Sequence, residues 1–219
     1  PSLGFAEDSD GLEFEKNVSL LNLAGVVSQT SFSDAELLAN VSRADFLFYV
    51  SKLLKIEEQP NVEEEYFTDL EGHWAGKLVS RFVQMGVISP GDDRIFRPED
   101  AVTRDEAAKI ITSVLGYDAL ARVNGGYPSG YLLIMSRLGI FPNGVGENIT
   151  FAEVIYALAN ALEAPCYEIK SLEGGTVYYE QDGENTLLKV YHGIKSDEGY
   201  VTSFGNMSLD GISADGDIM

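Results

Sequence analysis

The stretches Gly86-Val87-Ile88-Ser89-Pro90-Gly91-Asp92-Asp93 and Val102-Thr103-Arg104-Asp105-Glu106 decide how this chain is read. Gly86 stands where a helix C-terminus favours a residue able to take positive φ, and Ser89 to Asp93 is turn chemistry. Thr103 and Glu106 have the S/T-x-x-E spacing of a capping box. In that arrangement the hydroxyl accepts from the backbone N–H three residues on, and the carboxylate reaches back. Upstream, Trp74, Leu78, Phe82 and Met85 recur on one helical stripe; downstream, Ala107, Ile111, Val114 and Leu115 do the same. The expected unit is helix, glycine-ended turn, loop, capped helix.

The unit recurs. A shift of 61 residues aligns 8–56 with 69–117 without a gap, matching among others Asp8 with Asp69, Gly11 with Gly72, Gly25 with Gly86, Arg43 with Arg104 and Leu54 with Leu115. A degenerate third copy follows, in which Gly139-Ile140-Phe141 stands for Gly86-Val87-Ile88 and Thr150-Phe151-Ala152-Glu153 for Thr103 to Glu106, with a shorter loop between them. Thr150 and Glu153 repeat the capping box, and Ser42 with Asp45 is a weaker version of it. After these caps Phe46, Val50, Leu53 and Leu54, and then Val154, Leu158 and Leu162, keep helical spacing. No single helical hairpin buries its apolar face alone, so three hairpins are expected to pack as one cooperative unit. The expected organisation is one domain over 1–164, with copies at about 5–56, 67–117 and 122–164. The acidic segment 57–65, which carries Pro60, reads as a solvated linker.

From about Pro165 the helical period gives way to strand-like segments between Gly/Asp turns. Thr176 to Tyr179 and Thr186 to Tyr191 would pair across Gln181 to Asn185, and Gly199 to Phe204 would add a strand, giving a small β-rich segment over 165–219, an appendage or the start of a further domain. Asp210 to Asp217 misses the spacing of a calcium loop and reads as a solvated turn.

Composition narrows the function. With 219 residues, 45% hydrophobic, the chain can bury a real core. Its formal net charge of −20 repels nucleic acid and anionic membranes at long range. The single cysteine, Cys166, excludes an internal disulfide and reads as a small buried hydrophobe. His73 and His192 lack ligand spacing, so no metal or other cofactor is expected. No apolar run approaches the roughly 18 residues of a transmembrane helix. The chain opens at Pro1-Ser2-Leu3 without a basic-then-apolar leader and so reads as a mature or trimmed form. Nothing pairs a nucleophile with a base and no two carboxylates stand out, so no catalysis is expected.

The string Phe67-Thr68-Asp69, His73-Trp74-Ala75, Gly86-Val87-Ile88, Phe96-Arg97-Pro98, Val102-Thr103-Arg104-Asp105-Glu106 and Leu115-Gly116-Tyr117 closely resembles the S-layer homology repeat, and the resemblance extends over three copies from about Phe5 to Ala164. It implies a mainly α fold, a three-pronged spindle with pseudo-threefold symmetry, displayed on a bacterial cell surface. It also implies non-covalent anchoring of a secreted protein through a secondary cell-wall polysaccharide, commonly pyruvylated, and self-association in a surface layer. Carried over to this chain, the ligand-binding positions are Arg43, Arg104, Asp69, Trp74 and Asp8. Glu13 and Tyr127 stand in the tryptophan's place in the first and third copies, and Phe151 replaces the arginine in the third.

The residues themselves support an anion site. An arginine just after an N-cap adds a fixed cation to the free N–H groups and positive dipole end of a helix, and an exposed Trp74 beside Arg104 could cover a sugar ring. Plainer readings stand beside these. Arg104 could pair at the surface with Glu99 or Asp100, Trp74 could fill the core, and Asp69 could cap the first helix of its copy. Ser42, Thr103, Glu106, Thr150 and Glu153 read as helix caps. A helical-repeat module binding a protein partner in a surface assembly is the alternative function.

Overall fold

The computed structural model describes residues 7–56, 66–141, 146–173, 176–194, 203–204 and 207–208, with backbone alone for 7–10, 169–173, 176–184, 203–204 and 207–208. It is mainly helical. The helices are α1 (Glu7–Leu23), α2 (Asp34–Leu38), α3 (Arg43–Leu53), α4 (Gly76–Gln84), α5 (Arg104–Val114), α6 (Asp118–Val123), α7 (Ser129–Arg137), α8 (Phe151–Glu163) and α9 (Leu187–His192), with a 3₁₀ turn at Thr68–Leu70. Strands β1 (Pro165–Glu173) and β2 (Thr176–Thr186) pair antiparallel, and a short pair joins β3 (Ser203–Phe204) to β4 (Met207–Ser208). The 57–65 linker and the Asp210 to Asp217 turn lie outside the described residues.

The helices begin and end where their sequence chemistry says. Ser42, Thr103 and Thr150 each accept from the backbone N–H three residues on, and the boxes of Thr103 with Glu106 and Thr150 with Glu153 are complete. A third complete box, Ser33 with Glu36, opens α2. Past the ends of α1, α4 and α7, Gly25, Gly86 and Gly139 take φ of 73°, 74° and 65°. The register is less faithful at the start of the first copy, where α1 runs unbroken through Gly11 while the matched Gly72 sits in a turn at φ 69°.

The three capped helices meet at their N-termini in a closed ring of backbone hydrogen bonds. Val41 N–H donates to Ile149 O (3.3 Å), Ile149 N–H to Val102 O (3.2 Å) and Val102 N–H to Val41 O (2.9 Å). One step further on, Arg43 N–H donates to Asp100 O, Arg104 N–H to Glu147 O and Phe151 N–H to Ala39 O. Val41, Val102 and Ile149 are buried at this hub.

Apart from α6, which packs on its neighbour α7, the main helix pairings run across copies and not as hairpins within them. α4 packs on α3, α7 on α5, and α1, at the other end of the chain, on α8. Periodicity is the same for either pairing, because it marks which face is buried and not what covers it. The long loops from each positive-φ glycine to the next cap carry the second helix away from the first. In α4 the buried side chains are Val79, Ser80 and Phe82, while Trp74 precedes the helix at 55% exposure and Met85 is also exposed. Of the stripe read from the sequence, Phe82 is buried and Leu78 packs on the core, while Trp74 and Met85 at its two ends are exposed.

The C-terminal segment also departs from its reading. Residues 187–192 are helical: the Thr186 side chain accepts from Lys189 N–H, Gly193 ends the helix at φ 66°, and Leu187 and Leu188 are buried, with α9 against α8. The hairpin is formed instead by β1 and β2, and 199–202 lie outside the described residues. Tyr167 N–H donates to Leu115 O (2.8 Å), the Tyr117 hydroxyl donates to Pro165 O (2.8 Å), and the two rings stack at 4.8 Å. Burial, with the neighbouring Cys166 and Tyr167, pushes the Tyr117 hydroxyl up to about 12. His192 Nε2 bonds Leu53 O (2.8 Å) at the end of α3. The segment thus covers the C-terminal ends of the capped helices, while their N-terminal ends form the ring.

Gly116 is the point of closest approach, with φ 87° and an added Cβ only 2.1 Å from Tyr167 O. At Gly86 an added Cβ meets nothing within 4 Å, so Gly86→Ala is expected to lose only about 1–2 kcal/mol for its left-handed backbone. Gly116→Ala should lose at least about 2 kcal/mol more, because the strand must move as well. Urea unfolding of the two variants measures the difference; equal losses would mean that β1 does not bear on α5.

Candidate functional site

Each capped helix sends its first residue toward the next unit around the ring. Arg43 donates from Nε to Phe96 O (2.8 Å), lies 4.7 Å from the Phe96 ring centroid, and pairs through Nη1 with Glu106. Arg104 repeats the pattern, with Nη2 on Glu153, Nε donating to Gly146 O (3.4 Å) and the guanidinium 5.2 Å from the Phe141 ring. The partner is therefore neither Glu99, which bonds His73 Nε2 at 2.9 Å, nor the side chain of Asp100. Phe151 holds the corresponding place at the start of α8 and packs on Phe32 (5.1 Å) and Tyr49 (5.6 Å).

The capping glutamates consequently have two tasks. Glu106 accepts from Thr103 N–H through Oε2 and from Arg43 through Oε1; Glu153 accepts likewise from Thr150 N–H and Arg104. Burial acts to raise the Glu153 carboxyl, but the Thr150 backbone N–H and the Arg104 guanidinium outweigh it and hold it below its usual value. The anion site read at these helix starts is thus filled from within the chain. An external carboxylate must share the arginine with the glutamate or displace it.

Asp69 accepts from the backbone N–H groups of Phe96 (2.8 Å) and Arg97 (2.7 Å). Burial opposes its ionisation, yet these bonds and the Arg97 charge bring its carboxyl below the usual range. It does not cap α4, whose N-cap, Ala75, makes no side-chain cap; it pins the loop in which Arg97 takes φ 60°. Asp8 lies in the first turn of α1, and its side chain lies outside the described residues.

The aromatic at the start of each unit rests on the preceding unit's capped helix, six residues after its cap. Trp74 meets Phe48 edge-on at 6.2 Å, Lys109 lies 5.9 Å from the Tyr127 ring, and Phe14, next to Glu13, packs on Tyr156 at 5.7 Å. The expected pairing of Trp74 with Arg104 is thus absent. Trp74 sits beside Phe48 at the edge of the groove along α3, and Tyr127 lines a groove with Arg43.

Two of the grooves differ in chemistry. The one along α5, about 220 Å³, is lined by Arg43, Lys109, Glu106, Tyr127, Phe96 and Ser89, so two cations face one carboxylate that is already paired. The one along α3, about 730 Å³, is lined by Phe151, Tyr49, Phe48 and Phe32, with Glu36 and Asp45 against a single cation, Lys52. Lys109 and Tyr127 were missed as site residues, although Lys109 falls three residues after Glu106 and hence on the same helix face. The reason is that Tyr127 reaches that face only through pairing across units.

Among the described residues no group of three or more His, Cys, Asp or Glu could hold a metal ion, and no helix is long and apolar enough to cross a membrane. The arrangement offers binding grooves between capped helices, a class of site that recognises a ligand through cations and ring faces. Residues 66–108 match the S-layer homology domain. The cellulosome-anchoring protein of Acetivibrio thermocellus is 34% identical over 80 residues, covering 35% of this chain and 18% of that protein. The middle cell wall protein of Brevibacillus brevis is 25% identical over 184 residues (82% and 17%), and the surface layer protein of Brevibacillus choshinensis 26% over 182 (81% and 16%). The chain spans less than a fifth of the length of each of these relatives.

The sign of the Glu153 shift gives a pH dependence. A carboxyl whose folded pKa lies below its ordinary 4.5 contributes stability that is present above that value and is lost as pH falls through the folded one. Glu153→Gln should therefore be less stable than wild type at pH 7, with the two melting temperatures converging as pH falls below 4.5 and through the lowered folded value. A constant gap across that range would mean that the charge on Glu153 contributes nothing.

Proposed function

We propose that this chain is a non-catalytic anchor holding a secreted protein at the bacterial cell surface, and that it grips an anionic, pyruvylated secondary cell-wall polysaccharide in the groove along α5. The observation that carries the reading is the meeting of Arg43, Lys109 and Tyr127 in that groove on a chain of net charge −20. A carboxylate on the sugar would bond the two cations while the ring of Tyr127, 55% exposed, covers a sugar face. The match of residues 66–108 to the S-layer homology domain and the names of the relatives support a wall location. The closed ring of capped helices supports reading 1–164 as a three-repeat spindle, with the first and third copies as diverged S-layer homology units and with β1 and α9 built onto its end. Screening confines the repulsion of the surrounding acidity to roughly 8 Å at physiological salt, so a local positive groove suffices.

The test is sedimentation with cell-wall sacculi before and after extraction of the secondary polymer, followed by calorimetric titration with purified polymer. Arg43→Ala and Lys109→Ala should each weaken binding about ten- to hundredfold, the loss of charge-assisted hydrogen bonds. Arg104→Ala should act mainly on stability, lowering it by about 1–3 kcal/mol because the shielded Glu153 carboxylate loses its cation. Unchanged affinity in a folded Arg43→Ala/Lys109→Ala protein would overturn this assignment of the groove.

A further inference from the structure

The groove along α3 occupies the place that the cationic groove occupies on α5, yet its chemistry is inverted. Around the ring, Phe151 stands for Arg43, Asp45 for Glu106 and Phe48 for Lys109, so both cations have become aromatic. The rings form a continuous chain: Phe32 to Phe151 (5.1 Å), Phe151 to Tyr49 (5.6 Å), Tyr49 to Phe48 (5.9 Å) and Phe48 to Trp74 (6.2 Å). The two carboxylates are engaged locally, Asp45 accepting from the Ser42 hydroxyl (2.7 Å) and Glu36 from Ser33. Lys52 lies 5.1 Å from the Phe48 ring. Asn22, held by its Nδ2 donating to Val27 O, lines the groove together with Gln29 and Asn40.

We propose that this groove is a second saccharide subsite that takes an uncharged pyranose unit of the wall polymer. The inference rests on the polysaccharide reading of the α5 groove and extends it to a different chemical class. An acidic unit would face two carboxylates with one lysine to offset them, and like charges in a shared cleft disfavour binding. A neutral pyranose avoids that cost. Its C–H face covers the ring chain while its hydroxyls reach the amides of Asn22, Gln29 and Asn40. A cleft of about 730 Å³ that sets four aromatic rings beside amide side chains suits such a ligand. The charge balance disfavours an acidic peptide for the same reason. A polymer that offers acidic and neutral units in series would then be held at two points, and the second point adds avidity without a second cation.

Purified native polymer, and the same polymer with its carboxylates reduced to alcohols, would be titrated calorimetrically. Quenching of Trp74, the chain's one tryptophan, reports on the edge of the aromatic chain. Wild type is expected to bind both, with Trp74 responding to the reduced polymer. Phe151→Ala should weaken binding of the reduced polymer about tenfold. Phe48→Ala removes a half-exposed ring without touching the ring of hydrogen bonds, and should weaken the reduced polymer similarly. Phe151→Arg, placing at the start of α8 the residue that α3 and α5 carry, should lose the reduced polymer and keep the native one. Binding of native but not reduced polymer to wild type would overturn the inference and leave the anchor reading standing, whereas binding of neither would overturn the anchor reading itself. Binding of the reduced polymer that persists in folded Phe151→Ala and Phe48→Ala would also overturn the inference.

Discussion

Everything in this molecule hangs on the three backbone hydrogen bonds that join Val41, Ile149 and Val102 in a cycle. A cycle has no terminus, so each capped helix is held on both sides by segments distant in sequence. The outer bonds of Arg43, Arg104 and Phe151 N–H then fix which neighbour each helix's first side chain meets. The grooves follow from the ring, because the residue at each helix start is aimed at the next capped unit: Arg43 and Arg104 at its glutamate, Phe151 at Phe32 and Tyr49. Burial of Val41, Val102 and Ile149 keeps water from competing for those bonds. α1 completes the circuit by covering α8, so the first helix in the chain finishes the packing of the last copy.

Local features were legible in the sequence because local chemistry determines them. Thr103 with Glu106 and Thr150 with Glu153 specify their caps within four residues, and Gly86 ends α4 through backbone freedom alone. What the sequence concealed is long-range. Periodicity identified Phe46, Ile111 and Leu158 as buried but was silent on the pairing of helices, so it could not show that Trp74 rests on Phe48 and not beside Arg104. The stretch Leu187 to His192 has the composition of a strand, yet the Thr186 cap and the burial of Leu187 and Leu188 against α8 make it a helix, tertiary context overriding pattern. Glu106 looked like a cap and nothing more, since its second oxygen serves a residue 63 positions away.

The arginines illustrate how a fold and a site can share a residue. Arg43 and Arg104 have the same neighbours in kind: a backbone carbonyl, a ring face and a capping glutamate. Their side chains differ little in exposure, at 23% and 15%. What separates them is the residue six positions after the cap on the helix they reach. It is Lys109 on α5, a second cation, and Tyr156 on α8, where Phe14 packs. An arginine already bound to a glutamate gains little by meeting one more carboxylate unless another cation offsets the added charge. In the α5 groove Lys109 supplies that offset.

Divergence among the copies can then be understood as a redistribution of charge under a fixed architecture. The ring requires backbone groups and three buried apolar side chains, none of which depends on what the first residue of the next helix is. Phe151 can therefore replace an arginine, and Phe48 a lysine, without disturbing Val41, Val102 or Ile149. Losing the cation at α8 removes the need for a long acid opposite it, and Asp45 there serves Ser42 instead. Each groove thus becomes free to take its own chemistry while the hub stays constant, which is how a repeat can keep its geometry and still present different walls to its surroundings.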